Sequence, residues 1–271
     1  MEQRISLLLT LLVLLSTACS AASPASQFAE TAAAPKITEP PATESGVPTP
    51  QETLPAADPF IEQRKAMVQS GIVDWGIKDE AVIQAMGTVP RHLFVTETFQ
   101  DQAYANHPLP IGFGQTISQP YIVALMTEAA EVSGGDRVLE VGTGSGYQAA
   151  VLAEIVDQVY TVEIIGALAD RARNDLALAG YDNVEVRHGD GYFGWEALAP
   201  FDAIVVTAAP DHVPQPLVQQ LKIGGHLIIP VGPVGGVQTL WRVTRINDDE
   251  VRSENLGGVR FVPFTREERD E

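Results

Sequence analysis

Glycine recurs at every second position in Leu139-Glu-Val-Gly142-Thr-Gly144-Ser-Gly146-Tyr147. Without a Cβ, such a turn lets a ligand lie against bare backbone at the carboxyl edge of a sheet. Three alternating glycines would be a costly way to build a mere tight turn, since each forfeits about 0.5–1 kcal/mol of order. A dinucleotide fingerprint needs its third glycine at position 147, where this chain has tyrosine. Further on, Glu163 ends Val159-Tyr-Thr-Val-Glu163, where a carboxylate can accept hydrogen bonds from both hydroxyls of a ribose. A third stretch, His188-Gly-Asp190-Gly191, follows the next strand. Asp190 can accept from an adenine amino group, and Gly191 lets a base approach the backbone. The same aspartate also suits a helix cap. The candidate cofactor-binding residues are therefore Glu140, Gly142, Gly144, Gly146, Glu163, Asp190 and Gly191.

These residues need a scaffold that brings them to one edge. Short apolar runs at Arg137 to Val141, Gln158 to Glu163, Val184 to His188, Phe201 to Thr207 and His226 to Val231 read as strands separated by helix-length sequence. That alternation implies parallel βαβ units and a doubly wound α/β sheet with helices on both faces. Gln238 to Ile246 and Val259 to Pro263 read as antiparallel strands closing one edge, for seven strands in all. Upstream, Phe60 to Ser70 and Asp79 to Met86 read as short helices ended by Gly71 and Gly87. His107 to Pro120 is dense in turn formers and reads as a structured loop. Pro120 suits the first turn of a helix whose inner face carries Ile122, Leu125, Met126 and Ala129.

The three stretches then meet in one crevice and fit an adenosyl cofactor carrying a cationic sulfonium. Methyl transfer from such a group is an in-line displacement at carbon. A carboxylate acceptor, with a pKa of about 4, is already ionised at neutral pH and requires no strong base. Catalysis would rest on aligning oxygen, carbon and sulfur and on excluding water.

The pattern Glu140-x-Gly142-x-Gly144-x-Gly146 resembles the first motif of class I S-adenosylmethionine-dependent methyltransferases, whose fold is Rossmann-like; here an N-terminal helical extension precedes it. One family is resembled in particular, the protein-L-isoaspartate O-methyltransferases. The resemblance is carried by Pro90-Arg-His-Leu-Phe-Val95, Leu109-Pro-Ile-Gly-Phe-Gly-Gln-Thr-Ile-Ser-Gln-Pro120, Val138 to Tyr147, His188 to Gly191, Pro200 to Ala209 and Arg260-Phe-Val-Pro263, in the family's order. It covers about residues 62 to 266, and the Gly-Gln-Thr-Ile-Ser-Gln-Pro loop is its most specific part. It implies methyl transfer from S-adenosylmethionine to the free α-carboxylate of L-isoaspartyl residues in damaged proteins and peptides, after which succinimide closure and reopening restores part of the normal backbone. It also implies a catalytic role for Ser118, substrate positioning by Thr116 and Ile117, and a place for Thr265 near the cofactor. Read from spacing alone, Ser118 before Pro120 is a helix cap. Rival readings are a class I methyltransferase for another carboxylate and a cofactor-binding module without turnover.

The formal net charge is -18, which disfavours a polyanionic partner, and no Lys/Arg stripe overrides that field, so nucleic acid is not expected. Cys19 is the only cysteine, so neither an intramolecular disulfide nor a cysteine-based metal site is available. His92, His107, His212 and His226 are scattered without metal-ligand spacing, and no metal is expected. Trp75, Trp195 and Trp241 are expected in the core.

Residues 1–18 read as a signal peptide: an apolar run from Ile5 to Ala18 follows Arg4 and is too short to span a membrane. Leu15-Ser-Thr-Ala-Cys19 resembles a lipobox with Cys19 as the lipidation site, although leucine stands one place further from the cysteine than is usual. An ordinary signal-peptidase site near Ser20-Ala21-Ala22 is the alternative. Residues 19–59, rich in Pro, Ala and Thr, read as an extended tether, and 60–271 as the catalytic domain. The expected location is periplasmic or membrane-anchored, with the cytoplasm as the family's default, and the expected state is a monomer.

Overall fold

The computed structural model describes residues 58–266. The leader, Cys19 and nearly all of the tether lie outside them. Two helices open the described chain, α1 (Ile61–Gly71) and α2 (Glu80–Thr88), the second capped by Asp79, whose side chain accepts from Val82 N. The turn-rich segment that follows holds a short antiparallel hairpin, β1 (Leu109–Gly112) and β2 (Gln115–Ile117). Its tip passes through three successive positive φ angles, at Gly112, Phe113 and Gly114. The chain then enters α3 (Pro120–Ala129), with proline in the first turn as expected. The buried face of α3 is rotated from the expected one: Val123, Ala124, Met126, Thr127 and Ala129 are buried, while Ile122 and Leu125 are half-buried.

The main sheet is built by β3 (Arg137–Val141), β4 (Gln158–Glu163), β5 (Val184–His188), β6 (Phe201–Val206), β7 (Leu221–Val231), β8 (Gln238–Arg245) and β9 (Val251–Val259). Their order is β5-β4-β3-β6-β7-β8-β9, parallel through β7 and antiparallel at β8 and β9. Between them run α4 (Tyr147–Ala153), α5 (Gly166–Leu178) and α6 (Gln215–Gln219). The fold is the doubly wound, mostly parallel α/β sheet of class I methyltransferases.

Alternation along the strands divides two cores. Val138, Ala203, Val205 and Ile228 face a layer that includes Met67, Met86, Phe94 and Leu168. Leu139, Val141, Ile204, Val206, Leu227 and Ile229 face a second layer with Leu217 and Trp195. Residues buried on both sides of a parallel sheet give the near-continuous apolar runs that made these strands legible.

The last strand departs from expectation. It spans Val251–Val259 and is mostly exposed, so it carries little apolar pattern and is held by its backbone ladder to β8. Of the expected Val259 to Pro263, Val259 ends this strand and the rest is an extended strap beyond it, tied down by Ala209 N to Val262 O (2.9 Å), Phe264 N to Ala209 O (3.0 Å) and Phe261 N to Gln238 Oε1 (2.9 Å). Trp75 also departs, being 55% exposed and packed on Tyr121; Trp195 and Trp241 are half-buried.

Candidate active site

The sheet order reverses between β3 and β6, leaving a crevice at the carboxyl ends of both strands, where ligands of open α/β sheets bind. Gly142 follows β3 there with φ +99°. Thr207 follows β6, donating from its backbone N to Val141 O (2.9 Å) and from Oγ1 to Gly142 O (2.5 Å). A Cβ at Gly142 would fall 2.4 Å from Thr207 Oγ1, so the two strand ends close together only over a glycine. Gly146 (φ +89°) precedes α4, and a Cβ there would press on Leu176 at 3.2 Å. Gly144 differs: a Cβ would meet nothing nearer than Ile111 Cδ1, 3.5 Å away, so this backbone faces the cavity. At Gly191 a Cβ would lie 2.4 Å from Val141 Cγ1. Packing within the protein already requires that glycine, independently of any base lying on it.

Glu163, 5% exposed, is clamped at the end of β4: Oε2 accepts from Gly144 N (2.8 Å) and Oε1 from Ile165 N (2.9 Å). Two backbone donors fix the carboxylate, and each oxygen keeps a lone pair for a ligand hydroxyl. Glu140 is fully buried. Thr161 Oγ1 donates to its Oε2 (2.5 Å) and lies 2.6 Å from Thr143 Oγ1, while Oε1 has no partner among the described residues. Burial pushes this carboxyl up to about 8, against the Thr161 hydrogen bond and with some help from the charge of Glu163.

Asp190 realises its capping reading, Oδ1 accepting from Tyr192 N at 3.0 Å. Its Oδ2 is taken by Arg266 Nε at 2.9 Å, an ion pair the spacing of the sequence did not suggest.

A cavity is lined by the glycine turn, Glu140, Glu163, Gly191, Thr207, the loop from Gln115 to Ser118, and Val262 to Thr265. Of the expected cofactor residues, Glu140, Gly142, Gly144, Glu163, Gly191 and Thr265 border it; Gly146 and Asp190 do not. A second groove opens alongside, bordered by Gln119, Ile122, Val237, Arg260 and Phe261, and it shares Thr116, Ser118, Thr207 and Val262 with the first. Ser118 thus stands where the two spaces adjoin. The cap of α3 is not made by Ser118: the N-cap is Gln119, without a side-chain bond. Among the described residues nothing hydrogen-bonds the Ser118 hydroxyl, and it is free to meet a ligand. Thr116 is exposed at the rim, whereas the Ile117 side chain is buried and only its backbone is placed to contribute.

These residues fit an adenosyl cofactor. The backbone at Gly144 is open, the Glu163 carboxylate is held for hydroxyls, and Glu140 lies in the wall of the same cavity.

Residues 62–269 match the family model for protein-L-isoaspartate(D-aspartate) O-methyltransferase. The chain belongs to this family. A relative from a Picosynechococcus strain, a protein-L-isoaspartate O-methyltransferase, is 55% identical over 77% of this chain and 92% of its own length. Another, from Syntrophus aciditrophicus and of the same name, is 53% identical over 78% of this chain and 97% of its own length. Among solved structures, a Plasmodium falciparum protein assigned the same activity, in complex with S-adenosyl-L-homocysteine, superposes with a TM-score of 0.65 at 27% identity, over 75% of this chain and 98% of its own.

As a member of the isoaspartyl methyltransferase family, the chain also shows site residues that sequence reasoning passed over. Thr207 and Val262 border both spaces, Arg260 lines the groove, and Arg266 holds Asp190. Thr207 and Val262 lie within motifs already singled out; Arg266 had no signal, because its partner is 76 residues away. His92 contacts the Tyr104 hydroxyl (2.8 Å), and His226 pairs with Glu131. His212 bridges Asp211 and the Tyr192 hydroxyl. Among the described residues no group of three His, Cys, Asp or Glu side chains is placed to hold a metal ion.

Proposed function

We infer that this chain is a protein-L-isoaspartate O-methyltransferase, transferring a methyl group from S-adenosylmethionine to the free α-carboxylate of L-isoaspartyl residues in damaged proteins. The observation that carries the reading is the position of Ser118, with an unpartnered hydroxyl, in the wall common to the cofactor cavity and the adjoining groove. The bound cofactor supplies an electrophilic methyl carbon. Glu163 accepts from the ribose hydroxyls while its grip on Gly144 N holds the glycine turn in shape. Gly191 borders the adenine end with Asp190 directly before it, Thr265 closes the cavity on the side of the strap, and Glu140 lies in its wall.

On the other side, the groove receives the acceptor peptide. Ser118 donates to one carboxylate oxygen and leaves the other directed at the methyl carbon, with Thr116 and the Ile117 backbone at its flank. An acceptor that is already an anion needs orientation and exclusion of water, not a base, which agrees with a site in which no histidine borders the cavity.

The leader and tether make this an exported enzyme, with Cys19 lipidated and residues 19–59 spacing a monomeric catalytic domain from the membrane. Support comes from the lipobox-like Leu15 to Cys19 and the proline-rich composition that follows.

Incubating the full chain with methyl-labelled S-adenosylmethionine and matched isoaspartyl and aspartyl peptides tests the activity. Label in the isoaspartyl peptide alone supports the reading; equal labelling of both, or of neither while the cofactor binds, rejects it. Incorporation of labelled palmitate into the parent chain but not into Cys19→Ala tests the anchor.

A further inference from the structure

Arg91 opens the short turn Arg91–Phe94 and is fully buried. Burial draws its guanidinium down to about 10, so it is still charged at neutral pH. Placing a charge in the interior is costly, and an apolar side chain of similar volume commonly serves stability as well or better. What a guanidinium adds is a rigid fork of donors. Here Nε donates to Ala103 O at 2.7 Å and Nη2 to Ser118 O at 2.8 Å. The same group lies 4.6 Å over the centre of the Tyr147 ring. Among the described residues Nη1 is buried without a partner, so the site is not arranged to satisfy the cation fully.

Both ends of this contact matter to the site. Ser118 lies between β2 and α3, outside either ladder, and among the described residues its carbonyl accepts only from Arg91. Tyr147 is the first residue of α4, follows Gly146 directly and borders the cofactor cavity. One side chain therefore grips the peptide that carries the Ser118 hydroxyl and rests on the residue that ends the glycine turn. Lysine could keep the charge but could not span both carbonyls while lying flat on the ring.

We propose that Arg91 is a positioning residue for methyl transfer: it fixes the Ser118 peptide against the glycine turn, so that the serine hydroxyl holds the acceptor carboxylate in line with the methyl carbon. This rests on the reading of Ser118 as the group that orients the acceptor. Arg91 touches neither ligand; Tyr147 is the surface it rests on and Ser118 the group it positions, so its effect on transfer must vanish when the hydroxyl is absent.

A double-mutant cycle on the full chain decides it, with kcat for an isoaspartyl peptide and Kd for S-adenosylhomocysteine measured for the parent, R91K, S118A and the double variant. Expected is a fall in kcat of about tenfold for R91K in the parent background and less than about twofold in the S118A background, with Kd changed by less than about twofold. An equal fall in both backgrounds would show that Arg91 supports the fold generally, and would overturn the proposal while leaving Ser118 in place. An S118A enzyme with undiminished kcat would overturn the proposal together with the role of Ser118. Should R91K not fold, R91Q, which keeps a single donor nitrogen and no charge, goes through the same cycle and is judged by the same non-additivity.

Discussion

Arg266 Nε donates to Asp190 Oδ2 at 2.9 Å while its guanidinium lies 3.7 Å over the Tyr192 ring, so the strap after β9 is fastened to the carboxylate beside which adenine is expected to bind. The other oxygen of Asp190 already accepts from Tyr192 N. Each oxygen therefore already carries one donor, and a ligand amino group must take a remaining lone pair beside Tyr192 N or Arg266. Arg266 is 39% exposed, so the pair contributes at most about 1 kcal/mol to stability. We expect Arg266→Ala to leave the thermal transition nearly unchanged and to tighten binding of S-adenosylhomocysteine severalfold, as titration calorimetry would show. Weakened binding would mean that Arg266 is part of the cofactor wall and not a competitor for Asp190.

Ser118 and Glu163 serve different halves of the reaction and should separate kinetically. Ser118→Ala should lower kcat by roughly tenfold or more with little change in cofactor Kd, since the hydroxyl acts on the acceptor. Glu163→Ala should chiefly raise cofactor Kd, because it removes both the ribose acceptor and the anchor on Gly144 N. Single-turnover rates beside equilibrium binding check both, and equal effects of the two variants on rate and affinity would mean that the roles are wrongly divided.

Glu140 makes stability depend on pH in a definite direction. Its carboxyl is pushed up from 4.5 to about 8 by burial. Between those values the folded chain keeps a proton that the unfolded chain has lost, so stability falls as pH rises through the window and levels off above it. Glu140→Gln mimics the protonated form and should flatten that slope. Its gain over the parent, measured by urea unfolding at pH 5 and pH 8, should grow by at most a few kcal/mol. Parallel profiles for the two proteins would show that Glu140 is ionised in the fold.

The glycines of the turn should respond differently to one methyl group. Gly142→Ala would place Cβ 2.4 Å from Thr207 Oγ1 at φ +99°, and should cost at least about 2 kcal/mol with visible loss of folded protein. Gly144→Ala meets ordinary contact distances at φ +53°, and should cost only about 1–2 kcal/mol while weakening cofactor binding. Thermal melts and cofactor titrations distinguish them; the reverse ranking would place the cofactor away from Gly144.

The family, the sheet and most of the cofactor site could be read from the sequence because each depends on local pattern. Parallel strands buried on two faces show as apolar runs, positive φ demands glycine at 142, 144 and 146, and the loop through Ser118 carries a family motif. Tertiary structure alone decided what depends on residues far apart in the chain. An edge strand held by its backbone leaves little apolar pattern, so Val251–Val259 was missed and Val259 to Pro263 mistaken for it. The pairing of Asp190 with Arg266 and the grip of Arg91 on the Ser118 carbonyl span 76 and 27 residues. No periodicity encodes such contacts; they exist only once the sheet order has brought the ends of β3, β5 and β6 to one edge and folded the hairpin and strap across it.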